Sequence, residues 1–205
     1  MKPEHVFVDM DGVLCSFTQG VLSLFGHRHP YKGELAIQGW DGLHIEINKH
    51  RPRFAHVTHD QVMDAVRDEG HQFWSRLPLY TWTYKLIQAI EDSEIPYSLL
   101  TTHASGESAM GKVQWVRRFL PHSEKRMVLT REKWHCSAPG RLLLDDHHRN
   151  VDAWIEKGGD AILWPSPHNR DRSENLPIET ILERDVGLAI GAFTEKTLPP
   201  RKEQP

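Results

Sequence analysis

At 205 residues with 39% apolar side chains, the chain suits one domain of ordinary size with a genuine core. A net charge of −3 gives no electrostatic footing for duplex nucleic acid or an anionic membrane. No apolar run approaches a membrane span, the N-terminus has no apolar signal segment, and Cys15 and Cys136 stand in no metal or redox spacing, so a reduced, cytoplasmic setting is expected.

In chain order, residues 5–9 are an apolar run expected to form a buried strand. Residues 17–25 read as a helix ended by Gly26. Residues 27–56 scatter His, Arg, Pro and Gly with weak periodicity and are expected to be irregular or a small insertion. Thr58-His59-Asp60-Gln61 has the pattern of a capping box, opening a helix that runs to about Gly70. Residues 81–92 form a second helix, with Trp82, Leu86, Ile87 and Ile90 on one face. A strand at 97–101 precedes a helix at 107–120, which Pro121 stops. Strands at 126–130 and 141–145 follow, then a helix at 151–157 closed by Gly158-Gly159, and a strand at 161–164. The tail from about Glu195 is polar and Pro-rich and is expected to be disordered. Alternating strands and helices predict an α/β fold, a Rossmann-like parallel sheet with helices on both faces. Such sheets place their chemistry beyond the carboxyl ends of the strands.

Three of these strands end in chemistry-bearing residues: Asp9, Thr101 and the pair Asp145-Asp146. Asp9 and Asp11 are spaced by one residue, and Gly12 permits a sharp turn just after them. Two carboxylates held together either hold a divalent cation or divide nucleophile and acid/base work. An EF-hand calcium loop is excluded, because its twelfth position would be Gly20 rather than glutamate. Zinc at His27-x-His29 or His147-His148 lacks a supporting Cys or carboxylate set.

Asp9-x-Asp11, Thr101-Thr102, Lys133 and Asp145-Asp146, in this order over residues 5–146, resemble the four motifs of the haloacid dehalogenase-like (HAD) phosphohydrolases. A phosphorylated receiver domain uses similar residue types, but there the acidic pair comes early and the lysine late. The resemblance implies that Asp9 is the nucleophile forming an aspartyl-phosphate and Asp11 the acid/base. It implies phosphate donors at Thr101, Lys133 and the backbone near Asp11 and Thr102. It also implies Mg²⁺ held by Asp9, the carbonyl of Asp11 and Asp146, with Asp145 nearby.

A narrower resemblance rests on Asp9 to Phe17, on Phe73-Trp74 with Pro78, and on Leu129-Thr-Arg131-Glu-Lys133. Leu143-Leu-Asp-Asp146 and His168-Asn169 complete it. Together these look like the 5'(3')-deoxyribonucleotidases. That likeness implies a small, mainly helical cap inserted after the first strand, over residues 17–76. Residues 1–16 and 77–194 would then form the core, and 195–205 the tail. It implies an aromatic base pocket from Phe17, Phe73 and Trp74, since stacking contributes roughly 1–3 kcal/mol to any base. Arg131 is a further phosphate or sugar contact under this reading, His103 lies near the phosphate, and a homodimer is allowed. Thr102 stands where the family often has serine. The expected substrate is a nucleoside monophosphate, 5' or 3', deoxy foremost. Another small phosphoester such as a sugar phosphate, or a non-catalytic binding role, stays open, whereas a long nucleic acid is disfavoured because it needs a basic stripe.

Overall fold

The computed structural model describes residues 2–26, 43–49, 56–166, 169 and 186–190. Five strands form one parallel sheet: β1 (His5–Val8), β2 (Tyr97–Thr101), β3 (Met127–Leu129), β4 (Arg141–Asp145) and β5 (Asp160–Leu163). Their order is β3-β2-β1-β4-β5. The apolar strand runs bury on both faces, which is what a parallel sheet between helices requires. Val6 and Val8 face one buried cluster with Leu99, Leu142 and Leu144. Phe7 faces a second cluster with Leu100, Leu143 and Trp154.

Between β1 and β2 lie α1 (Phe17–Leu24), α2 (Leu43–Lys49), α3 (His59–Asp68), α4 (His71–Ser75) and α5 (Thr83–Asp92). After β2 come α6 (Gly106–Phe119), a 3₁₀ segment (Pro121–Arg126) and β3. A second 3₁₀ turn (Lys133–Cys136) precedes β4, α7 (His148–Glu156) joins β4 to β5, and α8 (Gly187–Ala189) follows. Val21, Leu43, Ile47 and Val62 belong to the same buried cluster as Val6 and Val8, so α1, α2 and α3 share a core with one face of the sheet. The other face takes α7, whose Trp154 meets Phe7 edge-on at 5.2 Å between ring centroids. Among the described residues no helix is long and apolar enough to cross a membrane.

The expected α/β sheet is present, and β2 and β4 have the expected bounds. The capping box at Thr58 forms, with Gln61 and Thr58 exchanging side-chain-to-backbone bonds. α7 begins at His148 rather than Val151, because the His147 side chain accepts from the Arg149 amide and caps the helix three residues early. The five-residue α4 and both 3₁₀ segments were not expected, since none spans enough residues to show a period. Most of 27–56, His168 and the 195–205 tail lie outside the described residues.

The register brings strand ends together. Val8 pairs with Leu99 on one side and Leu144 on the other, so β1 and β4 finish within one residue of each other while β2 runs two residues further. The Asp9 amide then donates to the Leu144 carbonyl at 2.9 Å and carries the pairing one residue further. α4 and α6 pack closely through Gly111: a Cβ there would overlap the His71 carbonyl and sit 2.6 Å from the Trp74 Cβ. Alanine would gain roughly 1 kcal/mol of helix propensity in an open helix. Here overpacking wins, and Gly111→Ala should lower stability by about 1–3 kcal/mol in urea unfolding. Unchanged or raised stability would show that this helix contact is loose.

Candidate active site

The end of β1 delivers Asp9 into a buried position beside Lys133, which the second 3₁₀ turn carries. The Lys133 Nζ lies 2.7 Å from Asp9 Oδ1 and 2.6 Å from Asp145 Oδ2. It thereby ties the end of β1 to the end of β4. Asp9 Oδ1 also accepts from the Met10 amide at 2.7 Å. The Asp145 oxygens further accept from the His147 amide and from Asn150 Nδ2. Asp146 follows with its backbone carbonyl fixed by Asn169 Nδ2 at 2.6 Å, and that same amide donates to the Trp164 carbonyl at 2.7 Å. Asn169 therefore staples the turn after β4 to the chain after β5.

Beyond Asp9 the chain turns at once. The amides of Leu14 and Cys15 both return to the Met10 carbonyl. Trp82 Nε1 and Thr83 Oγ1 clamp the Val13 and Leu14 carbonyls at 2.8 and 2.6 Å. Gly12 has φ +83°, and a Cβ there would overlap the Asp146 carboxylate. Only glycine allows this close approach. Asp11 thus lines the same cavity as Asp9 and receives the Lys112 ammonium. Lys112 is almost fully buried, and its Nζ also donates to Thr101 Oγ1 at 2.8 Å and to the Thr102 carbonyl at 2.5 Å.

A cavity of about 680 Å³ opens over these groups. Its floor includes Asp9, Asp11, Lys112, Lys133 and Asp146. Phe17, His59, Met63 and Trp74 also line it, as do Thr102, His103, Arg131 and Arg149. Phe17 and Trp74 lie 5.4 Å apart between ring centroids, and Trp74 lies over the Lys112 ammonium at 5.2 Å. Phe73 touches both aromatics but does not line the cavity; it packs under α1, 3.3 Å from where a Cβ on Gly20 would stand. Thr101 is fully buried and is held by Lys112, while the exposed Thr102 reaches the cavity. The Arg131 guanidinium donates to the His103 and Ala104 carbonyls at 3.3 and 3.0 Å.

Four carboxylates (Asp9, Asp11, Asp145, Asp146) therefore face two ammoniums (Lys112, Lys133). Burial, reinforced by the Asp145 and Asp11 charges, pushes the Asp9 carboxyl up to about 7 despite Lys133. Burial and the charges of Asp145 and Asp9 raise Asp146 well above its ordinary value. Burial opposes the Lys133 ammonium, but Asp145 and Asp9 outweigh it and hold the lysine charged. Acid and base shift upward together because the cluster is short of positive charge. The ligand atoms of Asp9, Asp145 and Asp146 lie within 4.8 Å of one another. Three buried carboxylates converging this closely fit a hard divalent cation.

Lys112 is the functional group that sequence reading missed. Ser108, Lys112, Trp115 and Val116 recur at i, i+4, i+7 and i+8 on the buried face of α6. A lysine on an otherwise buried stripe is the signal that would have found it. Lys112→Met should strand the Asp11 carboxylate and lower stability by about 3 kcal/mol in urea unfolding. Pairing it with Asp11→Asn should recover part of that loss. Full additivity of the two substitutions would show that the ion pair is energetically silent.

Comparison with known proteins places this geometry. Three solved structures share the fold at low sequence identity. A "predicted phosphatase" from Clostridium acetobutylicum is 11% identical with a TM-score of 0.55, over 91% of this chain and 99% of that one. A haloacid dehalogenase-like family hydrolase from Xanthomonas campestris is 12% identical with a TM-score of 0.53, over 93% of each chain. The HAD-hydrolase YfnB from Bacillus subtilis, solved bound to magnesium, is 13% identical with a TM-score of 0.52, over 87% and 92%. At the sequence level residues 3–183 match the family model described as 5' nucleotidase, deoxy (pyrimidine), cytosolic type C protein (NT5C). The chain belongs to that family, and it is a phosphomonoester hydrolase of the HAD superfamily.

Proposed function

We propose that the protein is a Mg²⁺-dependent phosphatase of nucleoside monophosphates, deoxy forms foremost, and that it works through an aspartyl-phosphate on Asp9. The observation that carries this reading is the pairing of a buried Asp9, gripped by Lys133, with Asp11 two residues on, both opening into one cavity. The family's description as a cytosolic deoxynucleotidase supports both the substrate class and a cytosolic setting.

Both donors that meet Asp9 do so at Oδ1, which leaves Oδ2 to attack phosphorus. Attack forms the Oδ–P bond as the ester P–O bond breaks, and Asp11 gives its proton to the departing alkoxide. Asp11 then takes a proton from water, the water attacks phosphorus, and the Oδ–P bond breaks to release phosphate and restore Asp9. Lys112 keeps Asp11 oriented. Thr102, Lys133 and the backbone amides of the turn supply fixed donors to the phosphoryl oxygens. Asp9 and Asp146, with the Asp11 carbonyl, would hold Mg²⁺; Asp145 anchors Lys133 from behind. Bound Mg²⁺ supplies charge neutralisation between the carboxylate and the phosphate dianion. Phe17 and Trp74 offer faces for the base, with Phe73 supporting them from the core.

Phosphate release from 5'- and 3'-monophosphates, ribo and deoxy, beside sugar phosphates tests the proposal. Release should concentrate on deoxynucleotides, vanish with EDTA and vanish in Asp9→Asn, whose fold should persist. Activity in Asp9→Asn would remove the aspartyl-phosphate, and release from sugar phosphates alone would remove the nucleotide.

The raised Asp9 carboxyl gives a pH dependence. Below about 7 a proton competes with the cation at Asp9, and above that it does not. Mg²⁺ affinity, read by titration of the protein at stepped pH, should therefore rise towards about pH 7, and the raised Asp146 carboxyl works in the same direction. In the metal-free fold, Asp9 keeps a proton that the unfolded chain releases near 3.8, so its contribution to stability fades as pH climbs through about 7. Affinity flat from pH 5 to 8 would exclude Asp9 as a ligand.

Trp74→Ala should raise KM for nucleotides at least tenfold while changing KM for a small aryl phosphate far less, since stacking is worth about 1–3 kcal/mol. Equal changes for both would return Trp74 to a packing role.

A further inference from the structure

The cavity lining mixes two chemistries: an apolar lip of Phe17 and Trp74, in ring contact with each other, and the rim arginines Arg131 and Arg149. The floor lysines are matched by carboxylates, Lys112 by Asp11 and Lys133 by Asp9 and Asp145. The rim arginines are not matched in this way. Arg131 is bound by two backbone carbonyls, which fix its guanidinium without cancelling its charge. Arg149 is exposed and forms no ion pair with a carboxylate among the described residues. It is the second residue of α7, a helix with no acid in its first turn, so the positive helix end adds to its charge. Arg131 stands two residues before Lys133, and Arg149 three after Asp146. The Arg131 Cα therefore lies within roughly 7 Å of that of Lys133, and the Arg149 Cα within roughly 11 Å of that of Asp146. The cavity, at about 680 Å³, is large enough for a drug-sized molecule rather than for a phosphate alone.

From this arrangement we infer a second anion subsite at the Arg131–Arg149 rim, which takes the second phosphate of an organic bisphosphate. On the nucleotidase reading above, on which its identity rests, the ligand is a nucleoside 3',5'-bisphosphate. One phosphate meets Asp9 while the other is held by the guanidinium forks, whose planar donors match phosphate oxygens. The nucleoside between them lies against the aromatic lip. Monophosphates remain substrates, bound without the rim contact.

Binding to the Asp9→Asn protein in Mg²⁺ tests this without turnover. Isothermal titration compares a nucleoside 3'-monophosphate, its 5'-monophosphate and its 3',5'-bisphosphate, with a sugar monophosphate and sugar bisphosphate as a second arm. The bisphosphate should bind at least tenfold tighter than the better monophosphate. Arg149→Ala, at an exposed position that does not threaten the fold, should cut that ratio below threefold. Arg131→Met should reduce it too. A bisphosphate that binds no tighter than its monophosphate in both arms overturns the subsite. So does a preference that survives both arginine substitutions. A preference seen only with the sugar pair keeps the subsite and discards the nucleoside. Failure of the nucleotidase reading itself is separable, because it shows as absence of nucleotide hydrolysis by the unmodified enzyme.

Discussion

The buried Lys133 ammonium is the constraint on which the site depends. It sits between Asp9 and Asp145, at the ends of two neighbouring strands, and it comes from the loop after a third. Three buried charges are expensive to desolvate, and removing one would leave the others uncompensated. The sheet makes the arrangement feasible because its parallel register ends β1 and β4 within one residue of each other. An offset of one residue would send Asp9 or Asp145 to the wrong face. Backbone register and buried charge therefore specify each other.

Lys112 repeats this device on the other side of β1. It joins Asp11, beyond β1, to Thr101 and Thr102, at the end of β2. The central strand is thus tied on both flanks by a buried lysine, one holding Asp9 and the other Asp11. The two carboxylates differ in setting as a result. Asp9 is sealed at the sheet end, where burial and neighbouring acids raise its proton affinity. Asp11 is turned outward by the Gly12 corner and lines the cavity. Two chemically identical side chains thus acquire different environments from position alone.

The sheet was legible in the sequence because its strands are short apolar runs ending in polar residues. Tyr97–Thr101 and Arg141–Asp145 need no tertiary information to be recognised. The aspartates were legible for the same reason: a charged residue directly after a buried strand has few structural excuses. Local chemistry could not show which polar groups would converge from afar. Lys112 reads as an ordinary helical lysine until its place on the buried stripe of α6 is noticed. Asn150 lies five residues after Asp145 and supports it only because α7 starts early, through the His147 cap. Phe73 and Trp74, adjacent in sequence, look equivalent; the short α4 points one beneath α1 and the other over the cavity. That division follows from helix geometry, which sends neighbouring residues in different directions.

Trp74 also joins the cavity lining to the buried charges. Its ring covers the Lys112 ammonium, its Cβ lies against Gly111 one residue away, and its neighbours Phe17 and Phe73 hold it from the α1 side. A base stacked in this pocket would further exclude water from Lys112 and its contact with Asp11. Lower local dielectric strengthens that ion pair and fixes the Asp11 carboxylate more firmly. The same exclusion raises the demand for positive charge around a bound phosphate dianion, since four carboxylates and two ammoniums already leave the floor negative. A divalent cation held by Asp9 and Asp146 would restore neutrality on the floor, and Arg131 and Arg149 would add positive charge at the lining. On the proposed reading, recognition, metal binding and acid/base orientation would be one electrostatic problem, posed where β1, β2 and β4 end.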